Sequence, residues 1–182
     1  MRKWKLVVSN VWNVLGKFEA ICITTNGFVT RDGRAVMGRG VAKQAKDKFK
    51  RVDYVLGKLI RKNGNVVQEI TTISTRPVRT VLVAFPVKPA YGKCNRKKDN
   101  IVSHVAYKYN PGDKVPGFHM KADLNLIEKS LKQLVKLADN EGWKKIALVM
   151  PGVGNGGLDR NEVEKLLDKH LDNRFYVFVL TK

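Results

Sequence analysis

Met150-Pro-Gly-Val-Gly-Asn-Gly-Gly-Leu-Asp159 is the stretch that decides how this chain reads. It follows Lys145-Ile-Ala-Leu-Val149, a short apolar run expected to form a buried strand. It precedes Val163, Leu166, Leu167 and Leu171, which fall at helical spacing. In a glycine-rich turn from strand to helix, successive N–H groups can point into one concavity, and the helix N-terminus adds partial positive charge. Such a loop can close on a phosphate. Glycine also punctuates ordinary β–α turns. However, four glycines in the six residues from Gly152 to Gly157, ending in a carboxylate, exceed what a turn needs. The Gly-Lys-Ser/Thr tripeptide of a nucleoside-triphosphate loop is absent. The stretch also lies near the C-terminus, whereas the dinucleotide fingerprint opens the first βαβ unit. A phosphate-bearing ligand held by some other α/β fold is expected.

Outward from this loop, strand and helix patterns alternate. Lys5–Val8 and Ala20–Thr25 read as strands. The second is a near-continuous apolar and β-branched run, as suits a strand buried on both faces, and Asn26-Gly27 ends it. A polar loop from Thr30 to Arg34 leads to Met37-Gly-Arg-Gly40, and helices are expected over Val41–Phe49 and Val52–Lys62. Strands follow at Val66–Ile70 and Val78–Phe85. Asp123 should cap a helix with Leu124, Ile127, Leu131, Leu134 and Leu137 on one face. A helix from Asn161 to Leu171 and a strand over Phe175–Leu180 complete the pattern. It predicts a single-domain, three-layer α/β/α fold over residues 1–182 with a mixed central sheet. In such sheets ligands bind outside the carboxyl ends of strands, which directs attention to Asn26, to Pro86-Val-Lys88 and to the glycine loop.

Residues 89–121 lack periodicity and read as a long basic insertion. Lys93, Arg96, Lys97, Lys98, Lys108, Lys114 and Lys121 alternate with Tyr91, Tyr107, Tyr109 and Phe118. An additional strand fits Ile101–Tyr109 only loosely. Base stacking on this segment and a solvated lid are both open readings.

Thirty-five Lys and Arg against sixteen Asp and Glu leave a formal charge of +19. A field of that sign concentrates anions, so a phosphorylated nucleotide or a nucleic acid is the expected partner, the latter through the basic surface. Cys22 and Cys94 make no disulfide framework, and three histidines (His104, His119, His170) without Cys/His spacing make no zinc site. No membrane span or signal-peptide core is recognisable. A cytoplasmic monomer with no metal and no cofactor is the expectation.

Three separated segments resemble the macrodomains, which are ADP-ribose-binding α/β/α modules. Ser9-Asn-Val11 with Glu19-Ala-Ile-Cys-Ile-Thr-Thr-Asn26 is similar to the family's Gly-Asp-Ile and Asp-Ala-Ile-Val-Asn-Ala-Ala-Asn strands. Met37-Gly-Arg-Gly-Val-Ala42 resembles the Met-Gly-Ala-Gly-Ile-Ala loop of one subfamily. Pro151–Asp159 resembles its Pro-x-Ile-Gly-Cys-Gly-Leu-Asp loop with one extra glycine. That subfamily contains the terminal ADP-ribose protein glycohydrolase and the antitoxins that reverse DNA ADP-ribosylation. The resemblance implies ADP-ribose contacts from Asn10, Val11, Thr25 and Asn26. It adds Met37, Gly38, Arg39, Gly40 and Val41 in one loop, and Pro151, Gly152, Val153, Gly154, Asn155, Gly156, Gly157 and Leu158 in the other.

The resemblance further implies an ADP-ribosyl hydrolase acting on a modified protein or nucleic acid. Phe85-Pro-Val-Lys88 is similar to the antitoxins' Phe-Pro-Thr-Lys, which makes Lys88 the nucleophile toward the anomeric carbon of the opened distal ribose. Asp159 falls on the glycohydrolase's acid–base aspartate. A phosphate counter-ion and a helix cap are the alternatives for these two residues. A non-catalytic ADP-ribose reader, a phosphatase acting on ADP-ribose-1''-phosphate and a nucleic-acid-binding module are the alternatives for the chain. Departures are also visible. Asn10 stands where most macrodomains carry an adenine-binding aspartate, and Ile23 replaces an internal asparagine. The sequence given ends at Lys182, so no aromatic ring beyond the last strand is expected over the adenine.

Overall fold

The computed structural model describes residues 1–181. Eight strands form in chain order: β1 (Lys5–Val8), β2 (Ala20–Asn26), β3 (Gln68–Ile73), β4 (Thr80–Lys88), β5 (Tyr91–Lys93), β6 (Lys114–Pro116), β7 (Ile146–Val149) and β8 (Phe175–Val179). Four helices accompany them: α1 (Gly40–Lys48), α2 (Val52–Asn63), α3 (Leu124–Glu141) and α4 (Arg160–His170). Six strands build one sheet in the order β1-β8-β7-β2-β4-β3. Every pair in it is parallel except β3 with β4. This is the expected mixed sheet, with helices on both faces.

The alternation of side chains along β2 explains why the strand is apolar throughout. Ala20 and Cys22 point into a cluster with Ile127, Leu131 and Leu134 of α3 and with Val163 and Leu167 of α4. Ile21 and Ile23 point the opposite way, into a cluster with Val41, Ala42 and Ala45 of α1 and with Val52 and Leu56 of α2. All four β2 side chains are fully buried. Burying a side chain of this kind contributes about 1.5–3 kcal/mol, so both cores draw on the same strand. Helix boundaries follow local chemistry. Asp123 accepts from Leu126 N at the start of α3, and Gly142, at φ 69°, ends it in the left-handed region.

Most strand limits shift by a residue or two from the sequence reading, and three differences bear on the site. β3 begins two residues later than expected and runs on to Ile73, because its edge position tolerates the exposed Thr71 and Thr72. β4 continues through Pro86 to Lys88. Ile101–Tyr109 is not a strand: Ser103–Lys108 forms a 3-10 helix instead. Within this segment β5 pairs with β6 and Ile101 forms an isolated antiparallel bridge with Met120, and its apolar residues collect on one small core of Cys94, Ile101, Val102, Val105, Val115 and Met120. Residues 89–121 therefore fold as a compact cap. Phe28 pins that cap to the body by edge contacts with Tyr91 and Phe118.

Candidate functional site

The carboxyl ends of β2, β4, β7 and β8 open into one cavity of about 850 Å³. Asn10, Val11, Thr25, Asn26, Gly38, Arg39, Gly40, Val41, Lys88, Gly152, Val153, Gly154, Asn155 and Gly156 all line it. Segments far apart in sequence thus meet where the sheet topology predicts a crevice.

Two glycine-bearing turns form opposing walls. Gly40 takes φ +57°, and a Cβ there would lie 3.4 Å from Asn155 Nδ2, so the loops approach each other closely. Arg39 occupies the N-cap of α1 without a side-chain cap, which leaves the first N–H groups of the helix free for a ligand. Across the gap, the N–H groups of Gly154, Asn155 and Gly156 donate to no protein acceptor among the described residues. A Cβ at Gly154 would meet nothing within 4 Å, whereas one at Gly156 would strike the Gly152 carbonyl oxygen at 2.3 Å. Gly156 is thus needed for the turn itself, and Gly154 leaves its wall open to a ligand.

The chain delivers Lys88 to this cavity through a bulge. Thr25 pairs with Pro86 and Asn26 with Lys88, so Val87 is skipped and the strand end is re-aimed. The buried Ser130 hydroxyl donates to Pro86 O at 2.7 Å, and Asn65 Nδ2 donates to Lys88 O at 3.0 Å, fixing the bulge from both sides. Lys88 Nζ donates to Asn155 O at 3.3 Å and to Phe118 O at 3.5 Å. Burial, reinforced by the nearby Arg39 guanidinium, brings its ammonium down to about 8. A sizeable fraction of this amine is therefore neutral near physiological pH, as nucleophilic lysines require.

Five expected residues do not line the cavity. Met37 is buried among Val41, Leu56 and Ile21. Pro151 is buried beneath the loop, Leu158 packs on the α3/α4 core, and Gly157 lies under the Lys121 side chain. Asp159 is likewise absent from the lining. Its carboxylate accepts from Glu162 N at 3.2 Å and serves as the N-cap of α4. It is not brought to the cavity with Lys88, because the residue that closes the loop also opens the helix.

Two asparagines reach the cavity with their amides partly engaged. Asn10 Oδ1 accepts from Trp12 N at 3.0 Å. Asn26 donates to Val36 O and accepts from Phe28 N, both at 2.9 Å. The cap supplies residues that the sequence reading did not place here: His104, Lys108, Phe118 and His119. Their signal was the basic, aromatic and aperiodic character of residues 89–121, which marks a functional segment without aiming any one side chain.

No protein-family model and no curated protein sequence matches the chain, but solved structures do. It is similar to the macrodomain of Mycobacterium tuberculosis DarG at 18% identity and TM-score 0.62, covering 96% of this chain and 97% of that one. The macrodomain of Thermus aquaticus DarG is 22% identical at TM-score 0.61, with 96% of each chain covered. Thermosipho africanus DarTG, solved in complex with ADP-ribose, is 19% identical at TM-score 0.62; the match covers 97% of this chain and 43% of that one. Two glycine turns facing each other at the carboxyl edge of a six-stranded mixed sheet, together with these likenesses, show that the chain adopts the macrodomain fold.

Proposed function

We propose that this protein binds ADP-ribose and releases it from a modified acceptor by hydrolysis. One observation carries the reading. The uncapped N-terminus of α1 and the free N–H groups of the glycine loop face each other across a single cavity, which also holds a partly neutral lysine. Opposed N–H clusters suit the two phosphates of a diphosphate. Asn10 lies on the side of the cavity that adenine would take. Asn26 and Lys88, at the ends of neighbouring strands, lie on the side of the distal ribose.

With the diphosphate so placed, Lys88 Nζ attacks the anomeric carbon while the acceptor departs. Water then hydrolyses the lysine adduct, and ADP-ribose leaves. The structure found with ADP-ribose bound, that of Thermosipho africanus DarTG, has the same fold and supports this choice of ligand. The acceptor meets the cap, whose exposed Tyr107 and Tyr91 each carry a lysine ammonium over the ring, Lys108 and Lys114 respectively. Aromatic faces flanked by cations suit a nucleic-acid acceptor.

Calorimetric titration with ADP-ribose, AMP and a short DNA, followed by release assays on mono-ADP-ribosylated protein and DNA, tests the proposal. Binding of ADP-ribose in preference to AMP with turnover of either substrate is expected. Binding without turnover makes the protein a reader. Release of phosphate from ADP-ribose-1''-phosphate alone makes it a phosphatase. DNA binding without ADP-ribose binding makes the cavity irrelevant.

A further inference from the structure

Hydrolysis at Lys88 requires a second group. As Nζ bonds to the anomeric carbon, the nitrogen must lose a proton, and the departing acceptor atom must gain one. A carboxylate is the usual choice, but among the described residues no Asp or Glu lines the cavity, and Asp159 caps α4 outside it. The ionisable groups on its walls are Arg39, Lys88, Lys108, Arg160 and two imidazoles, His104 and His119. Guanidinium groups do not exchange protons in this range, and a lysine ammonium has no lone pair with which to accept one. The imidazoles remain.

His119 is the one held for the task. Its Nδ1 lies 2.5 Å from Tyr109 Oη, so the ring has a fixed orientation and its other nitrogen is left for the cavity. The Phe118 ring packs against it edge-on, 4.6 Å between centroids. The main-chain oxygen of Phe118, one residue away, is the acceptor 3.5 Å from Lys88 Nζ. His104, by contrast, is exposed, and its ring has no hydrogen-bond partner among the described residues. It stands on the wall shared with a smaller cavity lined by Ser103 and Lys121.

Resting on the reading of Lys88 as nucleophile, we infer that His119, oriented by Tyr109, is the proton-transfer residue of this site. In the acting tautomer Nδ1–H donates to Tyr109 Oη, and Nε2 presents its lone pair. Nζ forms its bond to the anomeric carbon as the bond to the acceptor atom breaks, the electron pair leaving with the acceptor. Nε2 takes the proton shed by Nζ and passes it to the acceptor atom. Water then adds to the anomeric carbon, and the amine is released, so protons and electrons balance without any co-reactant.

The surroundings favour the neutral imidazole. Partial burial, with Lys108, His104, Lys88 and Arg39 nearby, lowers the His119 pKa from its ordinary value. Tyr109, which burial raises, stays an uncharged partner. A cap that supplies the proton carrier also couples chemistry to acceptor binding, since residues 89–121 form both.

The test is kcat, KM and their pH profiles for release of ADP-ribose from a mono-ADP-ribosylated substrate, with ADP-ribose affinity measured on the same preparations. Wild type should show two ascending ionisations, a lower one from His119, displaced downward from the ordinary imidazole value by partial burial and nearby cations, and one near 8 from Lys88. His119→Gln should lower kcat by about a hundredfold or more, remove the lower ionisation and keep ADP-ribose binding. Tyr109→Phe should lower kcat less and shift the lower ionisation, because the ring loses its guide. His104→Gln should retain that ionisation.

An active wild type whose profile is unchanged in His119→Gln overturns the inference and leaves the Lys88 reading standing. Loss of the lower ionisation in His104→Gln alone transfers the role to His104. A wild type that turns over neither substrate overturns both readings. If His119→Gln does not fold, the Tyr109→Phe profile decides.

Discussion

Lys88 Nζ lies 3.3 Å from the main-chain oxygen of Asn155, so the end of β4 touches the middle of the glycine loop. That contact places an amine whose charge is weakened by burial beside the N–H groups proposed to hold a diphosphate. It also explains why the bulge at Val87 matters: in unbroken register the strand would present Val87, not Lys88, opposite Asn26. Lys88→Ala should abolish release of ADP-ribose while leaving binding largely intact. Lys88→Arg should be equally inactive, because a guanidinium stays protonated and does not attack carbon. Full activity in Lys88→Arg removes the lysine mechanism.

The two central glycines of the loop should respond differently to the same substitution. Gly154 has open space where a Cβ would go, so Gly154→Val should fold normally and fill the gap a phosphate needs. ADP-ribose affinity should fall by about tenfold or more, in line with loss of one well-made contact to a charged group. Gly156→Val should instead lower the melting temperature, because its Cβ meets the Gly152 carbonyl oxygen at 2.3 Å. Calorimetry and thermal melts on both variants separate the roles. Undiminished binding in a folded Gly154→Val places the diphosphate elsewhere.

The fold was legible because it follows from periodicity. Alternation along Ala20–Asn26 serves two cores at once, and the spacing of Ile127, Leu131 and Leu134 can satisfy only one helix face. The glycine loops were legible for the same kind of reason, since few backbones need four glycines in six residues. Asp159 shows the limit. A carboxylate at the junction of loop and helix fits a catalytic acid and an N-cap equally well in one dimension, and only the fold shows that its Oδ1 accepts from Glu162 N and that it lies outside the cavity lining. His119 shows the converse. Residues 89–121 carry no regular repeat, and the ring is aimed by Tyr109, ten residues away, with β6 between the two.

Asn26 lines the cavity, yet both ends of its amide already serve the chain. Nδ2 donates to Val36 O and Oδ1 accepts from Phe28 N, which holds the loop leading to Gly38 and α1. Asn26→Ala should therefore cost about 1–3 kcal/mol of stability and weaken ADP-ribose and ADP together through the displaced loop. Urea unfolding and paired titrations measure both effects. A loss confined to ADP-ribose, with stability unchanged, shows instead that the amide turns to the distal ribose when the ligand arrives.

Lys88 should also be a stability liability that function retains. In the folded chain its pKa is near 8, below the 10.5 of an ordinary lysine, so the native state disfavours the charged form relative to the unfolded chain. Below pH 8 both states hold the proton and the penalty is present in full. Between about 8 and 10.5 the native state has released a proton that the unfolded state keeps, and the penalty is progressively relieved. Lys88→Met, which keeps the length of the side chain and removes the charge, should raise the melting temperature at pH 7. The gain should shrink as the pH is raised from 8 toward 10.5. A melting temperature that falls at pH 7, or a difference from wild type that does not change with pH, shows that the ammonium is well solvated or paired. The neutral nucleophile would then have no basis in the burial of Lys88.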